Sequence, residues 1–285
     1  MKFAFVTMPA RAHLNPVLGI VRELVLQKHE VIVYNSPEFA QEIESVGARF
    51  RCPLQNSPIF RADIGKDSLI MAKFLIDTAA ELINPLIADL EIEKPDCIIH
   101  DSLNVWGKIA STKINIPAIC MVPTFVLTPQ LLLSSFSFLY PEYLKMVAHP
   151  IRTLAMLHKY RSLYSNMDLS FPSPFDLFTN KEKLNIVFTS RQLQPGGNNF
   201  DIDYKFVGPI IYDRKEQLST IKPDQLSKQI IYISLGTIYT NQLEFYKKWI
   251  LYFRNTPYKV YISIGKSIHK KDLGDIPENI VIENY

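Results

Sequence analysis

Apolar positions fall into two alternating rhythms along the chain. Lys2 to Thr7 (KFAFVT) is a short β-prone run, and Val17, Leu18, Ile20, Val21, Leu24 and Val25 then recur at helical spacing before a second strand, Val31 to Tyr34. Asn15-Pro16 reads as a helix N-cap followed by proline at the first helical position. This opening is a βαβ unit. The rhythm repeats with a helix over Pro37 to Val46, a strand ending at Cys52, a helix over Ser68 to Leu90 that Asn84-Pro85 should kink or split, and the strand Cys97 to His100 with Asp101 at its carboxyl end. Val105 to Lys113 supplies the next helix and Ala118 to Val122 the next strand. Alternating strand and helix predict an α/β fold with a doubly wound parallel sheet.

Pro53 to Lys66 lacks periodicity and reads as a surface loop. Pro123 to Phe178 is rich in Leu, Phe, Tyr and Met and broken by prolines, which predicts helices and loops over the open end of the sheet. Its aromatics are either ordinary core or the wall of a pocket for an apolar ligand. Strands follow over Leu184 to Phe188 and Tyr204 to Val207. The polar segment 213–224 is the linker candidate. A second βαβ pattern begins beyond it, with strand Ile230 to Ser234, turn Leu235-Gly236-Thr237, helix Leu243 to Arg254 and strand Lys259 to Ile264. Three parts result: a first Rossmann-like lobe over 1–212, a linker over 213–224, and the start of a second lobe over 225–285.

Composition narrows the function classes. A net charge of +3 over 285 residues, with Lys and Arg scattered, gives no nucleic-acid surface. The short cluster Lys266, His269, Lys270 and Lys271 reads as a solvated loop. Cys52, Cys97 and Cys120 are odd in number and far apart, so they read as buried free thiols in a reducing compartment, the cytoplasm, with neither a disulfide framework nor a zinc site. The N-terminus lacks the pattern of a signal peptide, and the most apolar window, Ile119 to Tyr140, is too interrupted for a transmembrane span.

In an open parallel sheet ligands sit beyond the carboxyl ends of the strands, and His13 and Asp101 each follow such an end. The pair reads as a base dyad: a helix N-terminus keeps His13 neutral, and the carboxylate orients the ring and stabilises the charge it gains. The residues also allow a turn histidine and a carboxylate capping the next helix. Backbone N–H groups of the Leu235-Gly236-Thr237 turn, with the hydroxyls of Ser234 and Thr237, are able to hold a phosphate, although a strand-to-helix turn without ligand has the same sequence. The first turn has no G-x-G-x-x-G and the second strand ends without a ribose-binding acid, which argues against a dinucleotide oxidoreductase.

Met8-Pro9-Ala10-Arg11-Ala12-His13-Leu14-Asn15-Pro16, Lys94 to Asp101, Phe206-Val207-Gly208-Pro209 and Tyr232 to Thr237 together resemble the bacterial macrolide-type UDP-glycosyltransferases of GT-B fold. Ala12 stands where that family usually has glycine. The resemblance implies that His13, with Asp101 behind it, deprotonates an acceptor hydroxyl for inverting transfer of a hexose from a UDP-sugar. It places Ser234, Gly236 and Thr237 near the donor diphosphate, makes the apolar middle segment the pocket of a small hydrophobic acceptor, and calls for no metal or other cofactor. The family also carries a His-Gly-Gly-type motif and an acidic-Gln motif beyond the position of Tyr285. The 285 residues contain neither, so the sequence reads as a transferase with a truncated donor lobe. Its alternative is a non-catalytic remnant that binds an apolar molecule or partner. Oligomeric state is not legible.

Overall fold

The structure, a computed structural model, describes residues 1–53, 67–128, 147–212, 229–236, 241–265 and 267–284, with Ile64, Leu131 and Leu144 between them. The chain forms two compact units, Met1–Tyr212 and Asp213–Tyr285. The expected linker 213–224, most of the expected loop over Pro53 to Lys66, and most of 129–146 in the apolar middle segment lie outside the described residues.

The first unit is built on a seven-stranded sheet of β1 (Lys2–Val6), β2 (Glu30–Tyr34), β3 (Arg49–Arg51), β4 (Cys97–Asp101), β5 (Ala118–Val122), β6 (Asn185–Val187) and β7 (Tyr204–Phe206). Its order is β3-β2-β1-β4-β5-β6-β7 and every pairing is parallel. A parallel strand is buried on both faces and reads as a continuous apolar run, which is why Val31, Ile32 and Val33 are all inaccessible. Helices α1 (Arg11–Leu26) and α2 (Ala40–Ser45) cover one face through Leu14, Val17, Val21 and Ile43. Helices α3 (Ser68–Glu93), α4 (Val105–Lys113) and α5 (Pro150–Ser165) cover the other through Leu75, Leu82, Leu86, Trp106 and Tyr160.

Two helices depart from the sequence expectation. Helix α1 begins at Arg11 with Ala10 as its N-cap, so Pro16 lies inside it and Asn15 caps nothing. Leu14 is fully buried on the same stripe as Val17, Leu18 and Val21, and that burial extends the helix backward. The loss is local: proline removes one N–H, the one that would have bonded the Ala12 carbonyl. Helix α3 runs unbroken through Pro85 for 26 residues. The carbonyl that Pro85 leaves without a donor belongs to exposed Glu81, on the solvent side, while Leu82, Ile83 and Leu86 stay buried. Its start is fixed by Asp67, whose carboxylate accepts from the amides of Leu69 and Ile70.

The second unit holds a three-stranded parallel sheet of β8 (Ile230–Ser234), β9 (Lys259–Ser263) and β10 (Ile280–Glu283), with β9 central. Helix α6 (Leu243–Phe253) packs on it through Tyr246, Ile250 and Phe253 against Val260, Ile262, Ile280 and Ile282. No disulfide joins the three cysteines; Cys97 and Cys120 are buried and Cys52 is half-buried. Among the described residues no helix is long and apolar enough to cross a membrane.

A buried carboxylate ties the β3 side of the first unit together. Glu93, at the end of α3, receives Lys2 Nζ at 2.6 Å and pairs with Arg49 and Arg51. The hydrogen bond from Lys2, then that from Arg51, outweigh burial and hold its carboxyl down at about 2, against an ordinary 4.5. A depressed carboxyl pKa stabilises the fold above its unfolded value and ceases to do so as pH falls through the folded one. The stability difference between the wild type and Glu93→Gln, measured by urea unfolding, is therefore expected to be full near neutral pH and to shrink between about pH 4.5 and about pH 2. A difference that stays constant across that range would refute the assignment.

Candidate active site

The direction of the strand order reverses between β1 and β4: from β1 the chain winds out to β2 and β3, and from β4 the other way to β5 and beyond. The loops after two such strands separate and leave a crevice at their carboxyl ends. Into it project the first turn of α1, which follows β1, and the last residue of β4. His13 is the third residue of α1, and its amide bonds the Ala10 carbonyl at 2.9 Å. Asp101 closes β4, and its backbone pairs with Met121 of β5.

His13 Nδ1 lies 2.7 Å from Asp101 Oδ2, with the two side chains 12% and 1% exposed. Asp101 Oδ1 accepts from the Leu103 amide at 2.8 Å, so both carboxylate oxygens are engaged and the group cannot swing. Because the carboxylate accepts from Nδ1, that nitrogen carries the proton and Nε2 of the neutral ring keeps a lone pair. Such a ring can take a proton at Nε2 while the carboxylate stabilises the resulting cation. Burial lowers the His13 pKa, but the charge of Asp101 and its hydrogen bond raise it more, so the net shift is upward from 6.5. The buried carboxylate favours the charged ring, the opposite sense to the helix N-terminus. Asp101 also stops short of capping α4. Asn104 does that, accepting from the Gly107 amide at 2.7 Å and donating to the Val6 carbonyl at 3.0 Å.

Sequence reasoning passed over the groups behind Asp101. His100 is inaccessible, with Nδ1 3.1 Å from the Asp101 carbonyl and Nε2 3.0 Å from Glu182 Oε1, and Lys108 Nζ reaches the same oxygen at 2.7 Å. Burial raises the Glu182 pKa, while its bonds to His100 and Lys108 lower it further, leaving it below its ordinary value. Gly107 allows this packing, because a Cβ there would meet His100 Cβ at 2.8 Å and Val6 Cβ at 3.3 Å. The legible signal was the His-Asp pair at a strand end: alternation sends two successive side chains to opposite faces, one to the crevice and one beneath it.

Two pockets flank the crevice in the first unit. One, about 390 Å³ including its open mouth, is lined by Thr7, Tyr34, Asn35, Thr78, Leu82 and Trp106. The other, about 370 Å³, is lined by Ser102, Val122, Phe125, Val126, Phe178 and Tyr204. The apolar middle segment thus supplies part of the second pocket, whereas strand ends and α3 form the first. In the second unit, Ser234 is exposed at the end of β8 and its Oγ accepts from the Gly236 amide at 3.1 Å. Gly236 has φ +72°, a left-handed conformation that favours glycine. Thr237 lies outside the described residues.

No protein-family profile matches the chain. It is 30% identical over 287 residues to the NDP-glycosyltransferase YjiC of Bacillus licheniformis, covering 98% of this chain and 69% of that protein. It is 25% identical to the oleandomycin glycosyltransferase of Streptomyces antibioticus, covering 99% of this chain and 65% of that one. Among solved structures, the kitacinnamycin glycosyltransferase superposes with a TM-score of 0.82 at 25% identity, covering 100% of this chain and 70% of the other. The calicheamicin glycosyltransferase CalG4 superposes at 0.73 and 22% identity, covering 100% and 69%, a likeness of fold.

The charge balance at His13 is open to direct measurement. A nuclear magnetic resonance titration is expected to place its midpoint above 6.5 in the wild type and below 6.5 in Asp101→Asn, where burial is left unopposed. An unchanged midpoint in the variant would show that the carboxylate does not govern the ring.

Proposed function

Since this chain belongs to the NDP-glycosyltransferase family and has the GT-B class of fold, we propose that it serves transfer of a hexose from a UDP-sugar to a hydroxyl of a small hydrophobic acceptor, with inversion at the anomeric carbon. The observation that carries the reading is the 2.7 Å contact between His13 Nδ1 and Asp101 Oδ2 at the crevice between β1 and β4. Family membership supports a nucleotide-sugar donor. The choice of UDP, the hexose and the acceptor class belong to the proposal.

In the proposed reaction His13 Nε2 takes the proton from the acceptor hydroxyl as its oxygen attacks the anomeric carbon. The new C–O bond forms on the face opposite the leaving group, the bond to the diphosphate oxygen breaks, and UDP departs with the electron pair. One displacement of this kind inverts the centre. Asp101 holds the ring in the tautomer that accepts at Nε2 and stabilises the imidazolium, a contribution of roughly 10²–10⁴-fold for a positioned general base. The two apolar pockets are the candidate seats of the acceptor. Ser234, Gly236 and Thr237 are assigned to the donor diphosphate: the Ser234 hydroxyl keeps its own proton to donate while accepting from Gly236.

Calorimetric titration of the full chain with UDP and then UDP-glucose, followed by transfer assays with a phenolic acceptor, tests the reading. Saturable donor binding and turnover are expected, with His13→Ala reducing turnover by roughly 10²-fold or more while UDP binding is retained. Unchanged turnover in His13→Ala would remove the base. Failure of the folded chain to bind UDP would overturn the transferase reading in favour of a module that binds apolar molecules.

A further inference from the structure

A base is only as well placed as the carboxylate that orients it, and two consecutive carbonyls at the end of β4 are tied to one distant segment. The Ser102 carbonyl accepts from Asn180 Nδ2 at 2.7 Å. The Asp101 carbonyl accepts from His100 Nδ1 at 3.1 Å, and the same ring turns Nε2 to Glu182 Oε1 at 3.0 Å. Asn180 and Glu182 belong to the stretch just before β6, and that stretch is itself held by β6 and α4. Asn185 Oδ1 accepts from the Glu182 amide at 3.0 Å, and its Nδ2 donates to the Glu182 carbonyl at 2.7 Å. Lys108 Nζ meets Glu182 Oε1 at 2.7 Å and the Lys181 carbonyl at 3.1 Å.

Stability alone does not call for a histidine here. Two residues earlier on the same face of β4, Ile98 is inaccessible within the core, so the surroundings suit an apolar side chain. The side chain of His100 is likewise inaccessible and that of Glu182 only 14% exposed. Burying such a pair costs desolvation that an apolar replacement of similar volume avoids, and what a satisfied buried network supplies is a fixed orientation.

We propose that Glu182 and His100 are positioning residues for the base: Glu182 fixes the His100 ring, the ring fixes the backbone of Asp101, and the Asp101 carboxylate is thereby held against His13 Nδ1. The role rests on the proposed reading of His13 as the base, and neither positioning residue touches substrate in it. The direction of the Asp101 side chain follows its backbone, whose carbonyl takes both the His100 ring and the Asn104 amide while Oδ1 takes the Leu103 amide. Misplacement of a reacting group by an ångström costs on the order of 10²-fold in rate, so a contact remote from the substrate is able to govern turnover.

His100→Phe removes the ring nitrogens without orphaning a neighbour, because the Asp101 carbonyl keeps the Asn104 amide at 2.9 Å and Glu182 keeps Lys108. Glu182→Gln alters a partly accessible site and serves as the test if His100→Phe does not fold. The His13 resonance, identified by its absence from His13→Ala, is titrated by nuclear magnetic resonance in each variant of the full chain. Its midpoint is expected to fall from the wild-type value toward that of Asp101→Asn in both single variants. The double variant should fall no further than His100→Phe, since Glu182 acts through the ring. His100→Phe takes no negative charge from the site, so a fall there reports position. In transfer assays kcat should drop by about tenfold or more with the KM for UDP-glucose unchanged. Wild-type midpoints in the variants would overturn the proposal even where urea unfolding shows lost stability, as would a wild-type kcat or additive shifts in the double variant. The midpoint is read without turnover, so a chain that transfers no sugar still decides whether Glu182 and His100 place Asp101.

Discussion

Parallel pairing of β1 with β4, in register from Phe3 opposite Cys97 to Val6 opposite His100, is the constraint on which the rest of the first unit depends. Parallel neighbours share one direction, so every strand delivers its carboxyl end to the same rim, and every connection must cross back to the other end, most of them through a helix. Those helices bury the apolar runs of the strands on both sides. The same geometry leaves a crevice at the reversal of strand order. Residues 13 and 101, 88 positions apart, meet there because each lies just past the carboxyl end of one of two adjacent strands.

What is held at that rim is a balance between charge and burial. Asp101 is almost inaccessible, and a lone buried carboxylate is costly. Two interactions offset the cost: the ring of His13 on one oxygen and the Leu103 amide on the other. Below it, His100 reaches Glu182, which also pairs with Lys108 on the surface of α4. Packing permits this only because Gly107 has no side chain to keep α4 away from β1 and β4. The position of the candidate base is thus set by a hydrogen-bond network, a glycine and a sheet register together.

A second concentration of charge does different work. Glu93 with Lys2, Arg49 and Arg51 lies at the far end of α3 and joins that helix to β1 and β3, while the Tyr34 hydroxyl donates to Asp89 at 2.7 Å one turn earlier. These contacts fasten the helix that carries Thr78, Leu82 and Leu86, three walls of the first pocket. Glu93 is the buried member of the cluster, and its three cations, each also near Glu30 or Asp89, offset the cost of burying its charge. The helices therefore divide the labour: α3 is clamped at one end by ions and lines a pocket along its middle, and α5 packs against it while presenting its outer face to solvent.

By itself the sequence determined the alternation of strand and helix, the parallel class of the sheet and the two turns at which chemistry is sought. Continuous apolar runs and period-3.6 burial leave their mark on local residue order, so Val105–Lys113 and Ala118–Val122 were legible to the residue. Tertiary structure alone decided where proline would be tolerated. At Pro16 the local rule for starting a helix, and at Pro85 that for breaking one, lost to burial of Leu14 and of Leu82, Ile83 and Leu86, whose contacts come from elsewhere in the chain. It also brought to His13 the carboxylate that raises the pKa of its ring, which arrives from β4. The His100–Glu182 contact spans 82 positions, the Glu93 cluster gathers cations from three strand ends, and no local pattern encodes either. Local order reports which face of an element is buried; which partner meets it there is fixed by the register of the sheet.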